Sequence, residues 1–97
     1  MFIINLTYIK PLEVIDQLFE AHKEFLEQYY NSGQFLISGA KNPRIGGIII
    51  AIGSNKKELE KIIQQDPFIK EKAATYEVIE FIPRRFNHVF DSIKEKL

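Results

Sequence analysis

Residues 2–8 read Phe-Ile-Ile-Asn-Leu-Thr-Tyr, so that Phe2, Ile4, Leu6 and Tyr8 alternate with Ile3, Asn5 and Thr7. A period of two with one wholly apolar side is the pattern of a β-strand. Lys10-Pro11 closes it, because proline cannot donate a ladder hydrogen bond and its fixed φ suits the first turn of a helix. The period then changes: Val14, Leu18, Ala21, His22, Phe25, Leu26 and Tyr29 recur at steps of three and four, with Glu13, Glu20, Lys23, Glu24 and Glu27 opposite them. That spacing predicts an amphipathic helix ending before Asn31-Ser32-Gly33, where Gly33 can take the left-handed position beyond the last turn. Residues 35–38 predict a second strand and residues 46–52 a third, joined as a hairpin by the turn-rich stretch 39–45. Ser54 or Asn55 offers an N-cap to a shorter helix carrying Leu59, Ile62 and Ile63, which Asp66-Pro67 stops. Residues 76–82 alternate again as a fourth strand. Asn87 then caps an expected terminal helix with Phe86, Val89, Phe90, Ile93 and Leu97 on one stripe.

The resulting order, β-α-β-β-α-β plus an added helix, is the ferredoxin-like α+β plan: a four-stranded antiparallel sheet with helices on one face. We divide the chain into a domain over residues 1–85 and a helical extension over 86–97. Ile48, Ile49, Ile50 and Ile52 put apolar side chains on both sides of the third strand, whereas a strand wet on one face normally alternates. Something must cover the second face. Two copies packed sheet to sheet about a twofold axis would do so, which predicts a homodimer through the open face. The terminal helix is expected to reinforce that contact or cover a sheet edge.

Composition narrows the partners. At 97 residues there is room for one core, and 45% apolar content places the chain among folding sequences rather than disordered ones. Thirteen Lys and Arg balance thirteen Asp and Glu, with no basic block to track phosphates. The ferredoxin-like order is shared with RNA-recognition domains, but those stack bases on aromatics of the first and third strands, and the third strand here has none. Nucleic acid is therefore not an expected partner. Neither is a membrane, since the longest apolar run, residues 48–52, falls far short of the roughly 20 residues of a span. No secretory signal pattern opens the chain, and the absence of cysteine excludes disulfides and thiolate chemistry. Both fit a cytoplasmic location.

The candidates for chemistry are few. His22 lies on the buried stripe of the first helix, where it is either a hydrogen-bonded core histidine or a general acid-base. Asp66 is either the cap of a short turn before Pro67-Phe68 or, if it reaches His22, the carboxylate that fixes the imidazole tautomer. Ser38 and Gly39 end the second strand, where a hydroxyl and an open backbone could meet a substrate or simply enter the hairpin. No G-x-S-x-G elbow supports a Ser-His-Asp hydrolase, and Gly46-Gly47 lacks the context of a phosphate loop. Arg44, Arg84 and Arg85 read as scattered surface cations, and His88 with Asp91 as a local helix pair. Two histidines at unrelated positions do not make a metal site.

Taken together, Ala21-His22 before Phe25-Leu26, residues 33–39 (Gly-Gln-Phe-Leu-Ile-Ser-Gly), Gly46-Gly47 before the isoleucines, and Asp66-Pro67-Phe68 resemble the YciI-like family over residues 2 to 84. The resemblance implies a ferredoxin-like subunit of a dimeric α+β barrel, with a histidine-aspartate site falling on His22 and Asp66. Family members often carry an arginine shortly before the histidine, where Phe19-Glu20 stand here, and a proline after Ser-Gly, where Ala40 stands. The function this implies is a small enzyme without cofactor. It would act on a small organic substrate by proton abstraction and elimination or isomerisation, with Ser38 and Gly39 as substrate contacts. The alternative is a non-catalytic small-ligand-binding or dimerisation domain.

Overall fold

The computed structural model describes residues 1–97, and its strands and helices follow the expected order. They are β1 (Phe2–Tyr8), α1 (Leu12–Asn31), β2 (Phe35–Ala40), β3 (Gly46–Ala51), α2 (Lys56–Ile63), a one-turn α3 (Pro67–Lys70) and β4 (Ala74–Glu80). The four strands form one antiparallel sheet in the order β2-β3-β1-β4. This is the ferredoxin-like α+β arrangement.

Local chemistry accounts for the element ends. Pro11 precedes the first residue of α1, and Gly33, at φ +82°, donates its N–H to the Tyr30 carbonyl at 3.0 Å to close the last turn. Asn55, rather than Ser54, caps α2 by accepting from the Glu58 N–H at 2.8 Å. Gly46 is required by its neighbour strand: a Cβ there would stand 1.9 Å from the Leu6 carbonyl oxygen. No side chain fits at that β1–β3 approach.

The core lies on the helical face. Phe2, Ile4 and Leu6 of β1 meet Phe25 and Tyr29 of α1, Leu59 and Ile63 of α2, and Phe35, Ile49 and Ala51 of the hairpin. A second, smaller cluster packs Ile15 of α1 against Phe68, Ala73 and Ala74. On the opposite face the register aligns Ile3 with Ile50 and Ile79, and pairs Ile37 with Ile50. Ile48, paired with Asn5, lies beside them. Ile37 and Ile79 are exposed there, and the Asn5 Oδ1 is buried with no hydrogen-bond partner.

The terminal segment departs from the expected helix. Asn87 does cap, accepting from the Val89 N–H at 3.0 Å. The chain beyond it forms two short 3-10 turns, His88–Phe90 and Lys94–Lys96, rather than one α-helix. The stripe is only partly covered, with Phe86, Phe90 and Ile93 more than a third exposed and Val89 76%, and a helix this short is marginal without fuller tertiary burial.

Candidate functional site

His22 sits on α1 between the two core clusters. Its ring stacks on Phe68 with centroids 4.0 Å apart and planes 14° from parallel, and the Phe25 ring lies tilted at 6.3 Å. Only 8% of His22 is exposed, so its polar atoms need partners. Asp66 supplies one. The His22 Nδ1–H donates to the Asp66 Oδ1 at 2.9 Å across 44 positions of sequence.

Asp66 reaches that point because its own backbone is pinned. Its N–H donates to the Ile63 carbonyl at 3.0 Å, and its carbonyl accepts from Ile69 and Lys70, each at 2.9 Å. The neighbouring Gln65 accepts from the Tyr29 hydroxyl at 2.7 Å, tying the α2–α3 junction to α1. The same Oδ1 that faces His22 also accepts the Phe68 N–H at 2.9 Å, capping α3. Both sequence readings of Asp66 thus describe one carboxylate, which is 1% exposed.

In front of His22 is a cavity of about 200 Å³. Leu6, Tyr8, Phe19, Leu26, Ile49 and Phe68 form much of its apolar wall, and His22, Lys23, Ser38 and Gly39 also line it. With Nδ1 committed to Asp66, the neutral imidazole carries its free lone pair on Nε2, which forms no protein hydrogen bond and is not among the sealed polar atoms. Asp66 itself does not line the cavity. It stands behind the ring.

Ser38 enters by way of a bulge. Phe35 pairs with Ala51 and Ile37 with Ile50, so one extra residue is accommodated between them, and Ser38 then pairs with the core-facing Ile49. Uninterrupted alternation from Phe35 would send Ser38 to the other face; the bulge turns it towards α1, where its hydroxyl hydrogen-bonds the Tyr30 hydroxyl. Gly39 comes next, with open space where a Cβ would project. Of the four residues singled out in the sequence, the fold therefore gathers His22, Ser38 and Gly39 around one hollow and puts Asp66 behind the first. Sequence reasoning missed Tyr30, Lys23 and Phe68 as parts of this region. Lys23 adjoins His22, and Phe68 adjoins the Asp66-Pro67 break, so adjacency alone could have flagged both; nothing in the pattern links Tyr30 to Ser38.

Other charged groups lie elsewhere. Arg44 of the hairpin loop donates to Asp16 of α1 at 2.6 Å, and that hydrogen bond raises its guanidinium above the ordinary arginine value. It does not line the cavity. No three His, Asp or Glu side chains converge as metal ligands, and no helix is long and apolar enough to cross a membrane.

Residues 1–82 match the YCII-related domain. Among solved structures, the chain is similar to the 5-chloro-2-hydroxyhydroquinone dehydrochlorinase TftG from Burkholderia phenoliruptrix AC1100, in complex with 2,5-dihydroxybenzoquinone. The TM-score is 0.68, with 18% identity over 84% of this chain and 94% of that one. At that identity the likeness shows a shared fold. No curated protein matches the sequence.

Proposed function

The chain belongs to the YCII-related domain family, and from that premise we propose that it is a small enzyme in which His22 and Asp66 abstract a proton from a compact organic substrate. The observation that carries this reading is the pairing of Nδ1 with a buried carboxylate while Nε2 remains free on a ring that lines the cavity. Asp66 fixes the tautomer and stabilises the imidazolium once a proton arrives. The His22 Nε2 lone pair takes a proton from a substrate carbon. The electrons of that C–H bond become a new C=C bond, and a leaving group on the adjacent carbon departs with its own bonding pair. The imidazolium then returns its proton to water, or to another carbon of the same molecule if no group has left, which is isomerisation. Ser38 Oγ, held by Tyr30, contacts a substrate oxygen, and Gly39 leaves room beside it. Every step uses side chains of the chain itself, with no cofactor.

The neighbour's activity suggests a first substrate, 5-chloro-2-hydroxyhydroquinone, with chloride as leaving group. On this aromatic ring the proton taken by Nε2 is a hydroxyl proton. Once the chlorinated carbon has been protonated and its neighbouring hydroxyl has become a ketone, the O–H electrons of the hydroxyl para to that ketone form C=O. The ring C=C shifts to the chlorinated carbon, and chloride departs with its bonding pair. Chloride release would be followed for the native chain, His22→Asn and Asp66→Asn, alongside deuterium uptake into a panel of small cyclic ketones and phenols. Loss of about 10²–10⁴-fold in His22→Asn is expected for removal of a general base. If ligands bind in the cavity yet no compound reacts faster with the native chain than with His22→Asn, the alternative of a non-catalytic ligand-binding or dimerisation domain stands instead.

The same reading includes a homodimer through the isoleucine face. Ile37, at 62% exposure, and Ile79, at 45%, support it, as does the unsatisfied Asn5 Oδ1 beside them. Light scattering at micromolar concentration should report twice the chain mass; a stable monomer would remove this part.

A further inference from the structure

The cavity wall is electrically one-sided. Its only ionisable groups of ordinary acid-base range are His22, Lys23 and Tyr8, and it contains no carboxylate. Asp66 is spent on His22 and the Phe68 N–H behind the wall. Glu20, Glu24 and Glu27 line an adjoining hollow on α1 that shares Lys23 and Leu26 with the cavity, so these carboxylates flank the rim without entering the wall. Lys23 Nζ lies 5.5 Å from the centroid of Phe19, itself a lining residue, which puts the ammonium at the rim. Its one ionic partner is Glu20 at 3.3 Å, an i,i+3 contact with Glu20 83% and Lys23 52% exposed. Such exposed pairs hold their members weakly, so the ammonium is free to exchange Glu20 for a better partner. Arg44, by contrast, is bound to Asp16 and absent from the wall.

Deepening the proposal that this cavity takes a small organic molecule, we infer that it selects molecules bearing an anionic oxygen, such as a carboxylate or phenolate, which Lys23 holds at the rim while the ring lies between Phe68, Leu26 and Phe19. Lys23 is here a specificity-determining residue, and the apolar wall strengthens its attraction for an anion relative to open water. In an abstraction next to a carbonyl, the same ammonium would face the negative charge that develops on the substrate oxygen.

Benzoate and benzamide test this directly, being nearly the same shape with and without charge. Each would be titrated into the isotopically labelled chain while the NMR signals of His22 and the Gly39 amide are followed. Benzoate is expected to bind on the order of tenfold tighter than benzamide, the span of one charge-assisted contact. Lys23→Gln should abolish the preference by weakening benzoate, and Lys23→Arg should keep it. Glu20→Gln, which removes the competitor, should tighten benzoate about twofold. Equal binding of the two probes to the native chain overturns the inference, as does a preference that survives Lys23→Gln. If neither probe moves the cavity signals, the inference fails together with the reading of a ligand cavity. If benzoate is preferred through Lys23 but no substrate is turned over, only the catalytic reading falls.

Discussion

The chain contains two histidine-aspartate pairs, and they could hardly be less alike. His88 and Asp91 are three residues apart on a terminal turn, 3.7 Å from each other, with His88 fully exposed. His22 and Asp66 come from separate elements, meet at 2.9 Å and share a nearly dry environment under Phe68. Identical side chains thus differ in what they can do because of what surrounds them. Water and mobile ions screen the terminal pair, and either member can turn away at little cost. Neither His22 nor Asp66 can turn away without leaving a polar group stranded in the core. Sequence proximity produced the weaker pair.

The largest effect that would sharpen this contrast is loss of the buried carboxylate. Asp66→Ala removes both the partner of His22 and the cap of α3, and should cost about 3 kcal/mol in urea unfolding. For a domain of this size that is a large share of the total stability. Asp66→Asn, which keeps an acceptor for the Phe68 N–H, should cost about 1–2 kcal/mol. An Ala result no worse than Asn would mean that the cap and the imidazole contact contribute little. Next in size is the coupling itself: a double-mutant cycle of His22→Gln with Asp66→Asn should give about 1–2 kcal/mol of interaction energy. A coupling near zero would erase the distinction between the pairs. Smaller again is the cap on α2, where Asn55→Ala should lower stability by about 1 kcal/mol through loss of its bond to the Glu58 N–H. At the bottom of the scale, Asp91→Ala should leave the unfolding midpoint unchanged within measurement error. A clear loss there would show that the terminal turns are better anchored than their exposure indicates.

A spectroscopic measurement probes the contrast without unfolding anything. Long-range ¹H–¹⁵N spectra should find the neutral His22 ring protonated at Nδ1 alone and His88 as a mixture of tautomers. Asp66→Asn should disturb only the first, because the amide offers a donor as well as an acceptor at that position. Mixed tautomers at His22 in the native chain would break the comparison at its root.

Much of the architecture was readable residue by residue. Alternation in residues 2–8 and the three-and-four spacing from Val14 to Tyr29 specify β1 and α1 because burial of one face rewards a matching period. Pro11, Gly33 and Asn55 act within one turn of themselves, so their roles needed no knowledge of the rest. His22 on an apolar stripe marked itself as unusual for the same reason. The terminal stripe from Phe86 to Leu97 misled: its period is helical, but periodicity predicts a helix only where burial rewards it, and here the stripe is only partly covered.

What the linear pattern determined was therefore local: which stretches are strands or helices, where they stop, and which side of each is apolar. Tertiary structure alone decided that Asp66 arrives at His22, that a bulge between Phe35 and Ile37 turns Ser38 inward to Tyr30, and that Lys23 shares a wall with His22 and Ser38. Those outcomes depend on how strands register and elements stack across tens of residues. A one-residue shift in register reverses a side chain's face while leaving every local preference as it was.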